Sequence, residues 1–168
     1  IRAKGTPTPK AVRVVRELGL DAMELEFVRG VHMSLKAAEE TRREAEAAGV
    51  KLSVHAPYWI NLNAKDKKKV QQSVKRIVDS AVVGAAAGAR DVVFHPAYYL
   101  GDPPDVVFGR VKEALLLVLE ELDKRGVSVT LRPETTGKPT QFGSLEETIA
   151  LSEELPNVLP CVDFAHLH

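Results

Sequence analysis

Short apolar runs alternate along this chain with longer segments in which apolar residues recur every three or four positions. The longer segments have the periodicity of amphipathic helices that lie on a sheet, as with Val70, Val74 and Ile77 in one of them. The short runs are rich in β-branched residues and have the length of strands buried on both faces. Five such strands are predicted, at residues 22–27, 52–56, 92–96, 127–131 and 159–164.

The alternation of strands and helices predicts an α/β fold with a parallel sheet and right-handed crossovers. Such a sheet is either open and doubly wound or closed into an eight-stranded TIM barrel. Polar residues at the ends of successive strands favour the barrel, in which the carboxyl ends of the strands surround one mouth. A doubly wound sheet usually has a glycine-rich phosphate loop, and neither GxGxxG nor GxxxxGK[ST] occurs here.

The predicted barrel is incomplete, because five strands cannot close an eight-stranded barrel. The chain opens on a helical segment and ends directly after the fifth strand-like run. We therefore expect residues 1–168 to form a single domain that covers about five of the eight βα units of the TIM barrel. The first strand and the last units are expected to be missing from it.

Composition and charge indicate an ordinary soluble, globular chain. The 23 basic and 23 acidic residues balance, so no overall field would attract nucleic acid or an anionic membrane, and any anionic partner must be bound locally. Cys161 is the only cysteine, which excludes an internal disulfide and suits a reducing cytoplasm. No apolar stretch has the length of a membrane-spanning helix, and the chain starts without the apolar core of a signal peptide.

Candidate metal ligands follow the apolar runs at equivalent positions. His55, His95 and Glu134 each end a run, and Asp163 and His166 end the last one. A single histidine at such a place is more often a hydrogen-bonded structural residue, but three of the five histidines in the chain occupy these positions. Imidazole and carboxylate together suit zinc or manganese, and two such ions can act on a phosphodiester. Glu134 could bridge two ions, with Asp163 on the second.

Four segments around these residues resemble the endonuclease IV family, the metal-dependent apurinic/apyrimidinic endonucleases of the xylose-isomerase-like barrel superfamily. The resemblance extends over nearly the whole chain and is most specific in SVHAPYWINLN (53–63), FHPAYYLGD (94–102), RPETTGKPTQFGSLEE (132–147) and CVDFAHLH (161–168). It implies a hydrolase that cleaves double-stranded DNA on the 5′ side of an abasic site, in base excision repair. It also implies that the complete protein is a monomer.

The resemblance further implies how the ligands are shared among up to three zinc ions. His55, His95 and Glu134 would hold the first ion. Glu134 and Asp163 would hold the second, and His166 would contribute to the third. Glu134 is the candidate catalytic residue, because it would orient the attacking water. The remaining ligands of the family come from strands beyond these, so the metal site within this chain is expected to be incomplete.

The loop after the first ligand contains candidates for DNA contact. Tyr58 and Trp59 correspond to the family residues that insert into the base stack at the lesion, where stacking contributes about 1 to 3 kcal/mol per base. Asn61 in the same segment is a further candidate. Lys67 and Lys68 lie at the start of a predicted helix, where the helix dipole disfavours cations, and could bind phosphates. Alternatively, the aromatic residues cap the barrel mouth or pack under a loop, and the lysines are solvated charges.

Two other functions remain open from the sequence. A sugar isomerase or epimerase of the same superfamily uses one divalent metal on a Glu, Asp, His, Glu set, which Glu134 and Asp163 could serve. It needs neither His55 nor His95 as a ligand, whereas the multi-zinc nuclease needs both. A metal-free scaffold or binding domain would have kept only the barrel pattern. His168, at the end of the chain, could support the metal site or face solvent.

Overall fold

Helices and strands alternate along the part of the chain that the computed structural model describes, residues 7–167. The helices are α1 (Thr8–Glu17), α2 (Leu35–Ala48), α3 (Lys67–Ala86), α4 (Pro104–Lys124) and α5 (Leu145–Glu154). The strands are β1 (Ala22–Glu26), β2 (Lys51–His55), β3 (Asp91–Phe94), β4 (Ala97–Tyr98), β5 (Thr130–Pro133) and β6 (Gln141–Phe142). No helix within this range combines the length and apolarity needed to cross a bilayer. The expectation for His168 falls outside the described residues.

Four strands form one parallel sheet in the order β1-β2-β3-β5. Each pair of neighbours is connected through a helix, which confirms the predicted parallel α/β architecture. The buried side chains between the sheet, α3 and α4 form one core cluster, with Phe94, Ile77 and Leu115 at full burial. A second cluster, which includes Val12 and Val54, lies between α1, α2 and the first two strands. Because all four strands are parallel, their carboxyl ends lie side by side.

The prediction of a fifth regular strand at residues 159–164 is wrong. The segment runs parallel to β5 but forms only isolated bridges, at Val158 and Cys161. Pro133, the last residue of β5, has no N–H to donate to this segment, which removes one rung from the middle of the ladder. Backbone hydrogen bonds persist on both sides of the missing rung. The segment is therefore paired with the sheet without being a continuous strand, and it turns away after Cys161.

Strand β5, which corresponds to the fourth predicted strand at residues 127–131, begins later than predicted. Val127 donates its N–H to the carbonyl of Leu122 at 3.0 Å, so this part of the predicted 127–131 run closes helix α4. Pairing with the sheet begins at Thr130, whose N–H donates to the carbonyl of Arg90 at 2.8 Å. A short antiparallel pair, β4 with β6, is absent from the predicted elements. It joins the loops that follow β3 and β5.

Candidate metal centre

The candidate ligands lie where neighbouring strands of the parallel sheet end. His55 is the last residue of β2, and His95 and Glu134 directly follow β3 and β5. The register pairs the last residues of β3 and β5, Phe94 and Pro133, with one another. Parallel pairing therefore brings three side chains that are distant in the sequence to one edge of the sheet.

His55, His95 and Glu134 form the first ligand group. Nε2 of each histidine lies 3.2 Å from Oε2 of Glu134, and the two ring centroids are 5.4 Å apart. Nδ1 of His55 lies 2.9 Å from the carbonyl oxygen of Ala56, and donation to it directs the Nε2 lone pair at the centre. Ligands about 2 Å from a tetrahedral ion are roughly 3.3 Å apart. The spacing and the donor types of this group thus fit a metal ion such as zinc.

Glu134 also belongs to a second ligand group, with Asp163 and His166. Nδ1 of His166 lies 3.4 Å from Oδ2 of Asp163 and 3.7 Å from Oε1 of Glu134. The two carboxylate oxygens of Glu134 therefore face different groups, which is the arrangement that a bridging ligand needs. The structure places His166 beside Asp163, whereas the family resemblance assigns these two residues to different ions.

The second ligand group is held by a turn rather than by a strand. Oδ1 of Asp163 accepts hydrogen bonds from the N–H groups of Ala165 and His166, at 2.7 and 3.2 Å, as aspartate does in Asx turns. The Thr135 hydroxyl accepts from the N–H of Asp163 at 2.9 Å. Nδ1 of His166 lies 2.9 Å from the Thr135 carbonyl oxygen. This contact holds the His166 ring beside Asp163.

Two residues just after Glu134 support this turn and are missed by sequence reasoning. One is Thr135, through the contacts described above. The other is Gly137, where an added Cβ would lie only 2.9 Å from the backbone oxygen of His166. Their signal in the sequence is their position beside a ligand, in the segment RPETTG, but the partner that they contact is about thirty residues away. Local pattern does not reveal a contact of that kind.

Burial and the shared carboxylate determine the protonation of the first group. Burial lowers the pKa of His55, but the hydrogen bond to Glu134, the Ala56 carbonyl and the charge of Glu134 outweigh it and raise the pKa to about 9. For His95, burial dominates and lowers the pKa, and the neighbouring imidazoles add to this. Glu134 is buried, and a buried carboxylate requires a cationic or hydrogen-bonding partner. The proton on His55 supplies one in the metal-free chain.

The aromatic loop, residues 57–66, connects β2 to α3 and carries three of the DNA-contact candidates. Tyr58 and Trp59 are 44% and 57% exposed, and their ring centroids lie 4.3 Å apart. They therefore do not pack under a loop, which was one alternative interpretation. Asn61 differs from them, because its Oδ1 accepts hydrogen bonds from the N–H groups of Asn63 and Tyr98. Its side-chain oxygen is therefore bonded within the protein.

The two lysine candidates lie on the first turn of α3. Asp66 caps this helix by accepting a hydrogen bond from the N–H of Lys68 at 2.8 Å. Lys67 and Lys68 are both exposed, and neither forms an ion pair among the described residues. They are free to contact an anion in solvent.

The chain matches the family model described as xylose isomerase-like TIM barrel over residues 12–168. It is 46% identical over 159 residues to an uncharacterized protein of Methanocaldococcus jannaschii, covering 95% of this chain and 57% of that protein. It is 30% identical over 127 residues to the probable endonuclease 4 of Staphylococcus aureus, covering 68% of this chain and 40% of that protein. The chain thus spans about half the length of these relatives.

Solved structures give the same picture. Endonuclease IV from Thermus thermophilus superposes with a TM-score of 0.77 at 28% identity, over 98% of this chain and 60% of that one. D-Psicose 3-epimerase from Clostridium cellulolyticum superposes with a TM-score of 0.78 at 15% identity, over 96% of this chain and 60% of that one. The second likeness shows the fold alone. Together the matches confirm the predicted TIM-barrel fold class and the resemblance to endonuclease IV.

Proposed function

Because the chain belongs to the xylose isomerase-like TIM barrel family, we propose that its two ligand groups bind divalent metal ions. We further propose that the protein is a zinc-dependent endonuclease that hydrolyses DNA on the 5′ side of abasic sites, in base excision repair. The observation that carries this proposal is the first ligand group. Two imidazoles and a buried carboxylate lie around one point at the carboxyl edge of the sheet, where barrel enzymes have their active sites.

Glu134 is the proposed catalytic residue because it contacts both ligand groups. Oε2 faces His55 and His95, and Oε1 faces His166. When bound, the ions would supply Lewis-acid activation of water and stabilise the charge on the phosphate. Glu134 would be a ligand of both ions and would orient the attacking water. Up to three zinc ions, or manganese in their place, are expected in the complete site.

The substrate would reach this edge past the aromatic loop. Tyr58 is three residues from His55 in the sequence, and the exposed Tyr58–Trp59 pair offers aromatic faces on which unpaired bases can stack. Lys67 and Lys68, at the start of α3 directly after the same loop, would bind phosphates. Such local binding is needed because the chain has no net charge to attract DNA. Double-stranded DNA with an abasic site is therefore the proposed partner.

A second function is favoured by the second ligand group. Glu134 and Asp163 could serve as two ligands of a single-metal sugar isomerase or epimerase, and His166 lies beside them. That chemistry moves a proton beside a carbonyl and has no use for His55 and His95 as ligands. The first group, in which both histidines point Nε2 at the same carboxylate oxygen, is why we place the nuclease ahead of the isomerase.

The two functions can be separated with the paired variants His95→Asn and Asp163→Asn. If the protein is the nuclease, both variants should lower incision of a duplex with one abasic analogue by more than about 100-fold, because loss of a mere supporting partner costs about 10- to 100-fold. If it is the isomerase, His95→Asn should retain sugar turnover and Asp163→Asn should lose it. Zinc and manganese contents of each variant are measured in parallel.

Incision that survives in His95→Asn would contradict the nuclease, as would an intact duplex with a fully metallated full-length protein that carries the remaining ligands. The segment of residues 1–168 alone is expected to be inactive if those ligands are needed. The matched control is Asn157→Asp, which changes a residue outside both ligand groups. It should leave metal content and incision unchanged.

A further inference from the structure

Asn63, in the aromatic loop, is a buried amide that bonds to groups on two other parts of the fold. It is 1% exposed. Its Nδ2 donates to the backbone oxygens of Tyr98 and Tyr99, at 2.9 and 3.0 Å. Its Oδ1 accepts from Nη1 of Arg110 at 2.8 Å. One side chain thus joins the loop after β2 to the segment after β3 and to helix α4.

Asn61 makes a second set of connections from the same loop. Its Oδ1 accepts from the N–H groups of Asn63 and Tyr98, at 3.0 and 3.3 Å. Its own N–H donates to Oγ of Ser73 on α3 at 3.0 Å. Asn61, two residues after Trp59, is therefore bonded to helix α3 through Ser73 and to the segment after β3 through Tyr98.

Asp102 adds charge to these connections. Its carboxylate accepts hydrogen bonds from Lys65, from Nη1 of Arg110 at 2.8 Å and from Nδ2 of Asn63 at 3.3 Å. The bond from Lys65, followed by those from Asn63 and Arg110, holds the pKa of Asp102 below its usual value. The carboxylate is thus ionised at neutral pH and binds two residues in the second half of the aromatic loop.

We infer that Asn61 and Asn63, with Ser73 behind them, are positioning residues that hold the Tyr58–Trp59 pair at a fixed place in the loop that follows the ligand His55. The inference rests on the proposed function for its substrate, DNA with an abasic site. Asn61 then acts through the protein rather than by touching DNA. An ordered loop binds with less entropic cost than a mobile one, because its side chains are already in place.

Helix α3 offers a matched pair of variants, Ser73→Ala and Ser80→Ala. Both serines are buried, and each donates its hydroxyl to the carbonyl four residues earlier, Ser73 to Lys69 and Ser80 to Arg76. Only Ser73 also contacts the aromatic loop, because its Oγ accepts from the N–H of Asn61 and lies 3.3 Å from the carbonyl oxygen of Asn61. The difference between the variants therefore isolates the contacts of Ser73 with Asn61. Asn63→Ser, which keeps a small polar group, serves as a second and stronger variant.

Loop order is measured without any activity, because Trp59 is the single tryptophan of the chain. In Ser73→Ala, amide hydrogen exchange of residues 58–64 should be roughly tenfold faster, as expected for loss of one hydrogen bond. The fluorescence anisotropy of Trp59 should fall. Ser80→Ala should leave the exchange rate and the anisotropy unchanged. Asn63→Ser should change both quantities more than Ser73→Ala does. Metal content should equal that of the wild type in all three.

With abasic duplex, Ser73→Ala should raise KM several-fold and leave kcat within a factor of about two, because the metal ligands are untouched. Equal exchange and anisotropy in Ser73→Ala and Ser80→Ala would overturn the inference, and so would an unchanged KM in a variant whose loop has become mobile. If the full-length wild-type protein cleaves no abasic duplex, the proposed function fails. Exchange and Trp59 anisotropy then still decide whether these residues order the loop.

Discussion

The two ligand groups share Glu134 but are held in different ways. The first uses His55 and His95, which end two strands of one parallel sheet, so backbone pairing sets their positions. The second uses Asp163 and His166, which lie on a turn after the ladder to β5 has ended. The side chains of the first group are 17% and 29% exposed, and those of the second are 33% and 37% exposed.

This difference indicates that the two groups differ in preorganisation. Ligands on sheet strands keep their geometry because many backbone hydrogen bonds would have to break to move them. Ligands on an exposed turn depend on a few side-chain contacts, here mainly those of Thr135, and such turns belong to the less stable parts of a protein. We therefore expect the first group to bind its ion more tightly than the second.

The largest effect is expected from Glu134→Gln, which removes the charge common to both groups while keeping the shape of the side chain. Both ions lose a ligand, so zinc affinity should fall more than about 100-fold at each position and incision should be lost with it. Competition titration against a chromophoric chelator measures the affinities.

The control is Glu120→Gln, which neutralises an exposed carboxylate paired with Lys124 and should leave both affinities unchanged. Loss of only one ion in Glu134→Gln would show that the carboxylate does not bridge. The comparison between the groups would then have to be drawn without a shared ligand.

The first group should also impose a pH dependence on folding stability. The pKa of His55 is about 9 in the folded metal-free chain, against about 6.5 in the unfolded chain. Its proton therefore stabilises the folded chain fully below pH 6.5, and this contribution is lost as the pH rises through 9. The shift in pKa limits this contribution to the free energy of unfolding to at most about 3 kcal/mol.

Urea unfolding of chelator-treated protein gives the free energy of unfolding at about pH 6 and about pH 10. The wild type should lose more of this free energy between the two pH values than His55→Asn does, and the difference measures the contribution of His55. With zinc bound the sign should reverse, because the metal requires the neutral imidazole and competes with the proton. Equal pH dependence of the wild type and the variant in the absence of metal would show that Glu134 and His55 do not interact as their 3.2 Å separation indicates.

The positions of the first group were predictable from the sequence, and most of what holds the second group was not. His55, His95 and Glu134 each close a run of apolar residues, so their places at the ends of strands follow from periodicity and from the rules of parallel sheets. The segment with Asp163 has the same apolar character, but its pairing is interrupted by Pro133, a residue of the neighbouring strand. A pattern within one segment carries no information about its neighbour.

The supporting residues illustrate the same limit. Thr135 and Asn63 look like ordinary polar loop residues, and their function depends on partners brought close by the fold, Asp163 in one case and Arg110 in the other. Asn61 shares a segment with Tyr58, which favours a common role in DNA contact. Its amide oxygen instead faces backbone N–H groups, which only the tertiary structure could establish.

The smallest and most selective effect is expected from Gly137→Ala. The added Cβ would lie 2.9 Å from the backbone oxygen of His166, so the turn has to shift, at a cost of about 1 to 3 kcal/mol for such overpacking. Zinc affinity of the second group should fall roughly tenfold, which corresponds to about 1.4 kcal/mol, in the lower part of that range. The affinity of the first group should stay unchanged because its strands are not involved. The matched control is Gly109→Ala, where the added Cβ meets no atom within 4 Å and helix α4 should gain about 0.5 to 1 kcal/mol. An equal loss at both groups in Gly137→Ala would mean that the turn and the strand ends move together, and that they form one site of uniform rigidity.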